Sequence, residues 1–303
     1  KRRAKKSAST LAEAFHLHRL TQSQRARTLG MLLLPFDTDH SIPLRRAPDV
    51  HQACDDVYGS GTEPYIASLR ELQGLIGAYE WRKNGMEIPA LSARIHPHYG
   101  VFAPIRNEYV ALVSKTKLPE STKAQSVAFD IGTGTGILAA VLAKQGIQRI
   151  VATDHDERAL NCARENLTRL GVIEQVDLVQ TDLFPEGQAS LIVCNPPWIP
   201  ARPSSPLEYA IYDPENRMLL GFLNGLKAHL LPGGEGWLIL SDFAEHLGLR
   251  SHDELLSAID SAGLKVVGKS DIKPHHPRAS DTNDPLHVAR AAELTSLWRL
   301  AIK

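Results

Sequence analysis

From residue 126 onward, short apolar runs alternate with helical segments. This alternation constrains the fold more than any other feature of the chain. Runs at 126–131, 149–153, 175–180, 191–194, 236–241, 265–272 and 296–302 read as strands, and segments 137–145, 157–170, 216–230 and 252–262 read as helices. Strands rich in β-branched residues with little polar face need cover on both sides, so helices pack on both faces of a mostly parallel sheet. The expected fold class is α/β: a Rossmann-like seven-stranded sheet preceded by a helical N-terminal domain. Such sheets bind ligands outside the carboxyl ends of their strands. The residues with chemistry to offer fall there.

Residues 1–90 read as mostly helical, a cap or substrate-recognition domain. Segments 11–20, 21–34 and 50–58 are helix candidates, and 63–79 is the best of them, with Ile66, Leu69, Leu72, Leu75 and Ile76 at helical spacing. Residues 91–115 read as a hairpin and helix connector, extended at 91–95 and 101–102 and helical over 107–115. Residues 116–303 then form the sheet domain, with a polar loop at 274–285 before the last strand.

Charge and cysteine usage narrow the function classes. Lys+Arg and Asp+Glu both number 34, so no global basic field advertises nucleic acid, although a local patch could serve. The basic start, Lys1 to Lys6, reads as a solvated end and not as a secretory signal. Cys54, Cys162 and Cys194 show neither metal spacing nor a disulfide framework, which fits a reducing compartment and a cytoplasmic location. No apolar run reaches membrane-spanning length, so no membrane partner is expected. His96 and His98 would share a strand face, and His275 and His276 are adjacent. Neither pair has a matching third ligand nearby, so no metal is expected. Nothing in the sequence signals an oligomeric state.

Asn195-Pro196-Pro197-Trp198 follows the apolar run Ser190-Leu191-Ile192-Val193-Cys194. Two prolines lack the amide N–H a ladder needs, so the chain leaves the sheet there. The Asn side chain and nearby carbonyls become acceptors beside an aromatic ring. Such a group suits a flat NH2-bearing ligand, with Asn195 orienting it and Trp198 stacking on its plane. Cys194 reads as buried packing.

Upstream, Asp130-Ile131-Gly132-Thr133-Gly134-Thr135-Gly136-Ile137 is a strand end, a glycine turn and a helix start. Its third glycine arrives too early for a dinucleotide fingerprint, and no Gly-Lys-Ser/Thr ending makes it a P-loop. The loop resembles motif I of class I S-adenosylmethionine-dependent methyltransferases. Thr153-Asp154, Thr181-Asp182-Leu183-Phe184 and Asn195-Pro196-Pro197-Trp198 follow at successive strand ends, in the order that family uses. The resemblance implies S-adenosylmethionine as cofactor, held by Asp130, Gly132, Thr133, Gly134, Gly136, Asp154, Asp182, Leu183 and Asn195. Asp154 would take the ribose hydroxyls and Asp182 the adenine amino group, with Leu183 and Phe184 as an apolar wall. Asp156 reads as a helix cap. Asn195, Pro196, Pro197 and Trp198 would be the catalytic group.

The tetrapeptide, with Ile199-Pro200, Asp213-Pro214 and the connector Val101-Phe102-Ala103-Pro104-Ile105-Arg106-Asn107-Glu108, is most similar to the release-factor glutamine N5-methyltransferases. That implies N-methylation of a protein amide. Adenine N6 methyltransferases share the tetrapeptide pattern and guanine N2 bears the same planar amino group, so a nucleic acid is an alternative acceptor, and a small molecule or a non-catalytic relative are others. Trp198 departs from that family's usual Tyr.

Overall fold

The seven-stranded sheet forms around central strands that lack a polar face and are buried from both sides. The computed structural model describes residues 8–203, 206–274 and 281–303. The chain begins with α1 (Leu11–Gly30), β1 (Leu33–Phe36), α2 (His51–Tyr58), β2 (Tyr65–Ser68) and α3 (Leu69–Asn84). A hairpin of β3 (Met86–Ile88) and β4 (Ala93–Ile95) leads to α4 (Glu108–Lys115) and the short α5 (Ser121–Ala124). The sheet region runs β5 (Val127–Ile131), α6 (Ile137–Lys144), β6 (Arg149–Asp154), α7 (Glu157–Arg169), β7 (Val176–Gln180) and β8 (Ala189–Cys194). It continues with α8 (Arg217–His229), β9 (Leu230–Ser241), α9 (Phe243–His246), α10 (His252–Ser261), β10 (Leu264–Ile272), α11 (His287–Ala292) and β11 (Thr295–Ile302).

The strand order is β10-β11-β9-β8-β5-β6-β7. Strands β5 to β9 are parallel, and β11 lies antiparallel between β9 and β10. On β8, Leu191 and Val193 pack with α4, α6 and α7, while Ile192 and Cys194 pack on the other face with α8 and α10. The two-sided burial explains the unbroken apolar run. The strand order reverses between β5 and β8, which opens a crevice beyond their carboxyl ends. The glycine turn and the Asn-Pro-Pro-Trp group flank that crevice.

The first 90 residues, read as mostly helical, also carry the short strands β1 and β2. Segments 11–20 and 21–34 are one helix that stops at Gly30, after which Leu33–Phe36 turns into a strand. Pairing with Tyr65–Ser68 makes a two-stranded antiparallel sheet. The expected helix at 63–79 therefore starts only at Leu69. Pro64 and the strand-forming Tyr65-Ile66 oppose helix there, and the Ser68 hydroxyl caps α3 by accepting the Glu71 amide at 3.1 Å. This region carries its own core of Phe36, Val50, Cys54, Leu72 and Leu75. Residues 101–102 are loop and not strand. His96 and His98 lie beyond β4, so they share no strand face. His96 Nδ1–H donates to the Arg82 carbonyl at 2.6 Å, and His98 meets Glu165 at 3.0 Å. His275, His276 and Lys1 to Lys6 lie outside the described residues. Among the described residues no group of three His, Cys, Asp or Glu side chains could hold a metal, and no helix is long and apolar enough to cross a membrane.

Candidate active site

The glycine turn works because alternate residues take left-handed backbone. Gly132, Gly134 and Gly136 have φ of 72°, 54° and 80°, a region that side chains other than glycine's seldom adopt. The three differ in what surrounds them. A Cβ on Gly136 would meet Ala163 and Leu167 at 3.2 Å, so this glycine lets α6 pack against α7. A Cβ on Gly132 would lie 2.6 Å from the Met218 methyl, and one on Gly134 would meet nothing within 4 Å. Gly134 is thus the glycine that faces open space. The Thr133 amide donates to the Thr153 carbonyl at 2.8 Å and ties the turn to the end of β6.

Two carboxylates hold the turn from below. Asp130 is buried; its Oδ2 accepts the Thr133 hydroxyl at 2.7 Å and the Ala139 amide at 3.0 Å. It therefore caps the first turn of α6. Its Oδ1 is buried without a partner, and burial, with Asp154 nearby, pushes this carboxyl up to about 6. An orphaned buried carboxylate oxygen is costly unless a ligand completes it. Asp154 at the end of β6 accepts the Gly134 amide and the Asp156 amide, each at 3.0 Å. Burial raises its carboxyl and these amide bonds oppose the rise. Its Oδ1 also lies 3.5 Å from His155 Nδ1. Asp156 caps α7 through the Arg158 amide at 2.9 Å.

After β7 the geometry departs from a simple apolar wall. Asp182 is exposed and paired with Arg217 at the start of α8. Leu183 has φ 74°, a strained state for a leucine, and its carbonyl accepts the Thr153 hydroxyl at 2.7 Å. Phe184 turns away under α8, stacked on His229 at 4.5 Å and near Gly225. Glu215 and Asn216 are also left-handed, at φ 58° and 55°.

Residues 199–213 leave the site and return to it. The Ile199 amide donates to the Ile211 carbonyl at 3.3 Å, and the Asp213 amide donates to the Ile199 carbonyl at 2.9 Å. Asp213 is buried and caps α8 by accepting the Met218 and Leu219 amides, each at 3.0 Å. This cap brings Met218 over the glycine turn. The helix α1 straps the excursion from outside: Phe15 is buried with Ile199, Phe243 and Leu247, and the Arg19 guanidinium lies 4.0 Å above the Tyr212 ring.

Asn195 and Trp198 are coupled. The Trp198 indole N–H donates to Asn195 Oδ1 at 2.9 Å. The buried Tyr109 phenol lies against the Asn195 side chain, and burial makes it a weaker acid than an ordinary phenol. Arg106 stacks over the Trp198 ring at 4.9 Å. Cys194 is buried packing, its thiol raised well above the usual value by burial. Tyr109, Arg106 and Met218 were not singled out by sequence. Arg106 stands within the connector segment that carried the family likeness, but nothing local marks its partner.

Residues 113–202, which span the glycine turn and the tetrapeptide, match the family model of ribosomal protein L11 methyltransferase (PrmA). Over 131 residues the chain is 44% identical to a ribosomal protein L11 methyltransferase of Symbiobacterium thermophilum, covering 43% of this chain and 42% of that protein. Over 153 residues it is 33% identical to a release factor glutamine methyltransferase of Cereibacter sphaeroides, covering 46% of this chain and 52% of that protein. The chain thus spans about half, or less, of the length of the curated relatives it matches. A methyltransferase structure from Pyrococcus furiosus is similar at TM-score 0.49 and 20% identity, over 75% of this chain and 98% of that one. The matched region bears out the resemblance: it is a class I methyltransferase domain, of the kind that takes S-adenosylmethionine.

Proposed function

We propose that the protein transfers the methyl group of S-adenosylmethionine to a planar amide or amino nitrogen, above all that of a protein glutamine. The observation that carries this is the position of the Asn195 carboxamide, locked by Trp198 at the end of β8, across the strand-order switch from the glycine turn. When bound, S-adenosylmethionine would supply an activated methyl with its own leaving group, so the protein's task is alignment and charge placement. The partnerless Asp130 Oδ1 fits an ammonium group, Asp154 fits two ribose hydroxyls, and Gly134 leaves room for close approach. Asp182 fits an exocyclic amino group once its exposed pairing with Arg217 opens. Asn195 Oδ1 keeps one lone pair for an N–H of the acceptor, and the Pro196 carbonyl would take the other. Drawing both N–H bonds into acceptors localises the nitrogen lone pair for attack.

In this reading residues 116–303 hold the donor, 91–115 brace the acceptor group, and 1–90 shape the acceptor side. Two relatives named for protein substrates support a protein acceptor. The three cysteines are buried and free, in keeping with the reducing cytoplasm. The basic segment Lys1 to Lys6 favours a nucleic acid as the second reading. Calorimetry with S-adenosylhomocysteine tests the donor site, and no binding sinks the proposal. Labelled methyl transfer to whole lysate separates the acceptors: protease-sensitive label supports a protein, nuclease-sensitive label a nucleic acid. Asn195→Ala should keep donor affinity and lose transfer; retained turnover removes Asn195 from the mechanism.

A further inference from the structure

We propose that Arg106 is a positioning residue for methyl transfer, acting through Trp198 to set the Asn195 carboxamide. The inference rests on the proposed function but is read from a separate set of contacts. Arg106 is fixed by four bonds: Nε and Nη2 donate to Glu108 Oε1 at 3.0 and 2.9 Å, Nη1 donates to Glu293 Oε1 at 2.8 Å, and Nη2 donates to Thr295 Oγ1 at 3.3 Å. Glu293 is buried, and its Oε1 also accepts the Ser241 hydroxyl at the end of β9. Glu108 opens α4, and Thr295 opens β11. The guanidinium is therefore anchored to three elements at the carboxyl edge of the sheet, which holds its plane.

Its Cζ lies over the Trp198 ring, 4.9 Å from the ring centre. A guanidinium stacked on an indole is attracted by the ring quadrupole, and a fixed fork orients it better than an ammonium would. The ring in turn has one polar atom, and its N–H is spent on Asn195 Oδ1 at 2.9 Å. The Tyr109 phenol meets the same side chain. A carboxamide held in this way cannot rotate freely, so its remaining lone pair points one way. Arg106 also covers one face of Trp198, which leaves at most the other face for an acceptor. The indole thus braces Asn195 first, and stacking on the acceptor plane is secondary. This accounts for Trp in a place where a tyrosine would put no N–H.

The test uses the full chain and reads the bond directly. The chain has four tryptophans, so its indole N–H region is sparse in a 15N–1H spectrum. Trp198→Phe assigns the Trp198 signal by its loss. Arg106→Leu would strand the fully buried Glu293 carboxylate, so it is paired as Arg106→Leu/Glu293→Gln; Arg106→Lys is the conservative variant. The expected result is faster hydrogen exchange and an upfield shift of the Trp198 indole N–H in the double variant, partly restored in Arg106→Lys. S-adenosylhomocysteine affinity stays within about twofold, while labelled transfer to lysate falls roughly tenfold to a hundredfold, as for a small misplacement of a reacting geometry. An unchanged indole signal, or unchanged transfer with a changed signal, overturns the proposal. Absence of S-adenosylhomocysteine binding by the unmodified protein would instead overturn the proposed function, and the indole signal would still decide whether Arg106 holds the ring.

Discussion

Asp130→Asn should stabilise the ligand-free protein near neutral pH and weaken donor binding. The buried carboxyl is pushed from 3.8 up to about 6. The folded state therefore holds its proton more tightly than the unfolded chain does. Wherever the native state binds more protons, stability falls as pH rises. The window runs from the unfolded value to the folded one, and the full cost above it is about 3 kcal/mol at ~1.4 kcal/mol per unit. Between about pH 5 and about pH 7.5, the wild type should lose about 1.4 kcal/mol from this group. An Asn keeps the shape and one acceptor for Thr133 and Ala139 but carries no charge. Urea unfolding of both proteins across that range gives the difference directly, and the variant should gain on the wild type as pH rises. Parallel curves would refute the reasoning, because they would mean that Asp130 does not titrate in that window. Donor binding should have the opposite preference. If the orphaned Oδ1 receives an ammonium, S-adenosylhomocysteine affinity in the wild type rises with pH through about 6, and Asp130→Asn flattens that rise. A buried charge kept at a stability cost is the usual mark of a functional site.

Gly132→Ala places a side chain at φ 72° and 2.6 Å from the Met218 methyl. It should cost about 1–2 kcal/mol in backbone strain and abolish tight S-adenosylhomocysteine binding, with Met218→Ala relieving only the contact; unaltered affinity in calorimetry would count against the turn as the donor site. Phe15→Ala removes the buried ring by which α1 packs on Ile199, Phe243 and Leu247, and should lower the unfolding free energy by about 3 kcal/mol, seen in a urea titration. The same variant should slow transfer while sparing donor affinity, and an unshifted unfolding midpoint would show that α1 does not brace the 199–213 excursion.

Much of the sheet domain is legible along the chain because its determinants are local. Residues with no polar face make buried strands, and every expected strand from 126 onward lies within a few residues of its place except β9, which begins at Leu230. Gly132, Gly134 and Gly136 announce a left-handed turn because few other residues tolerate that backbone. Pro196 and Pro197 announce an exit from the sheet because they lack amide donors. The strand after Gly30 and the one at Tyr65 escape notice because a four-residue strand has too few residues to show a period, and its partners lie 29 to 35 positions away in Leu33↔Ser68 through Phe36↔Tyr65.

Amino-acid order alone determined that a glycine turn and an Asn-Pro-Pro-Trp group sit at strand ends of a parallel sheet, since backbone sterics and amide supply are properties of single residues. Only the tertiary structure decided what those residues touch. Gly136 serves helix packing and Gly132 lies under Met218, and Trp198 spends its N–H on Asn195 beneath an arginine anchored 187 residues away at Glu293. Such pairings depend on which strand ends the fold brings side by side, and the insertion of β11 between β9 and β10 is what delivers Glu293 and Thr295 to Arg106.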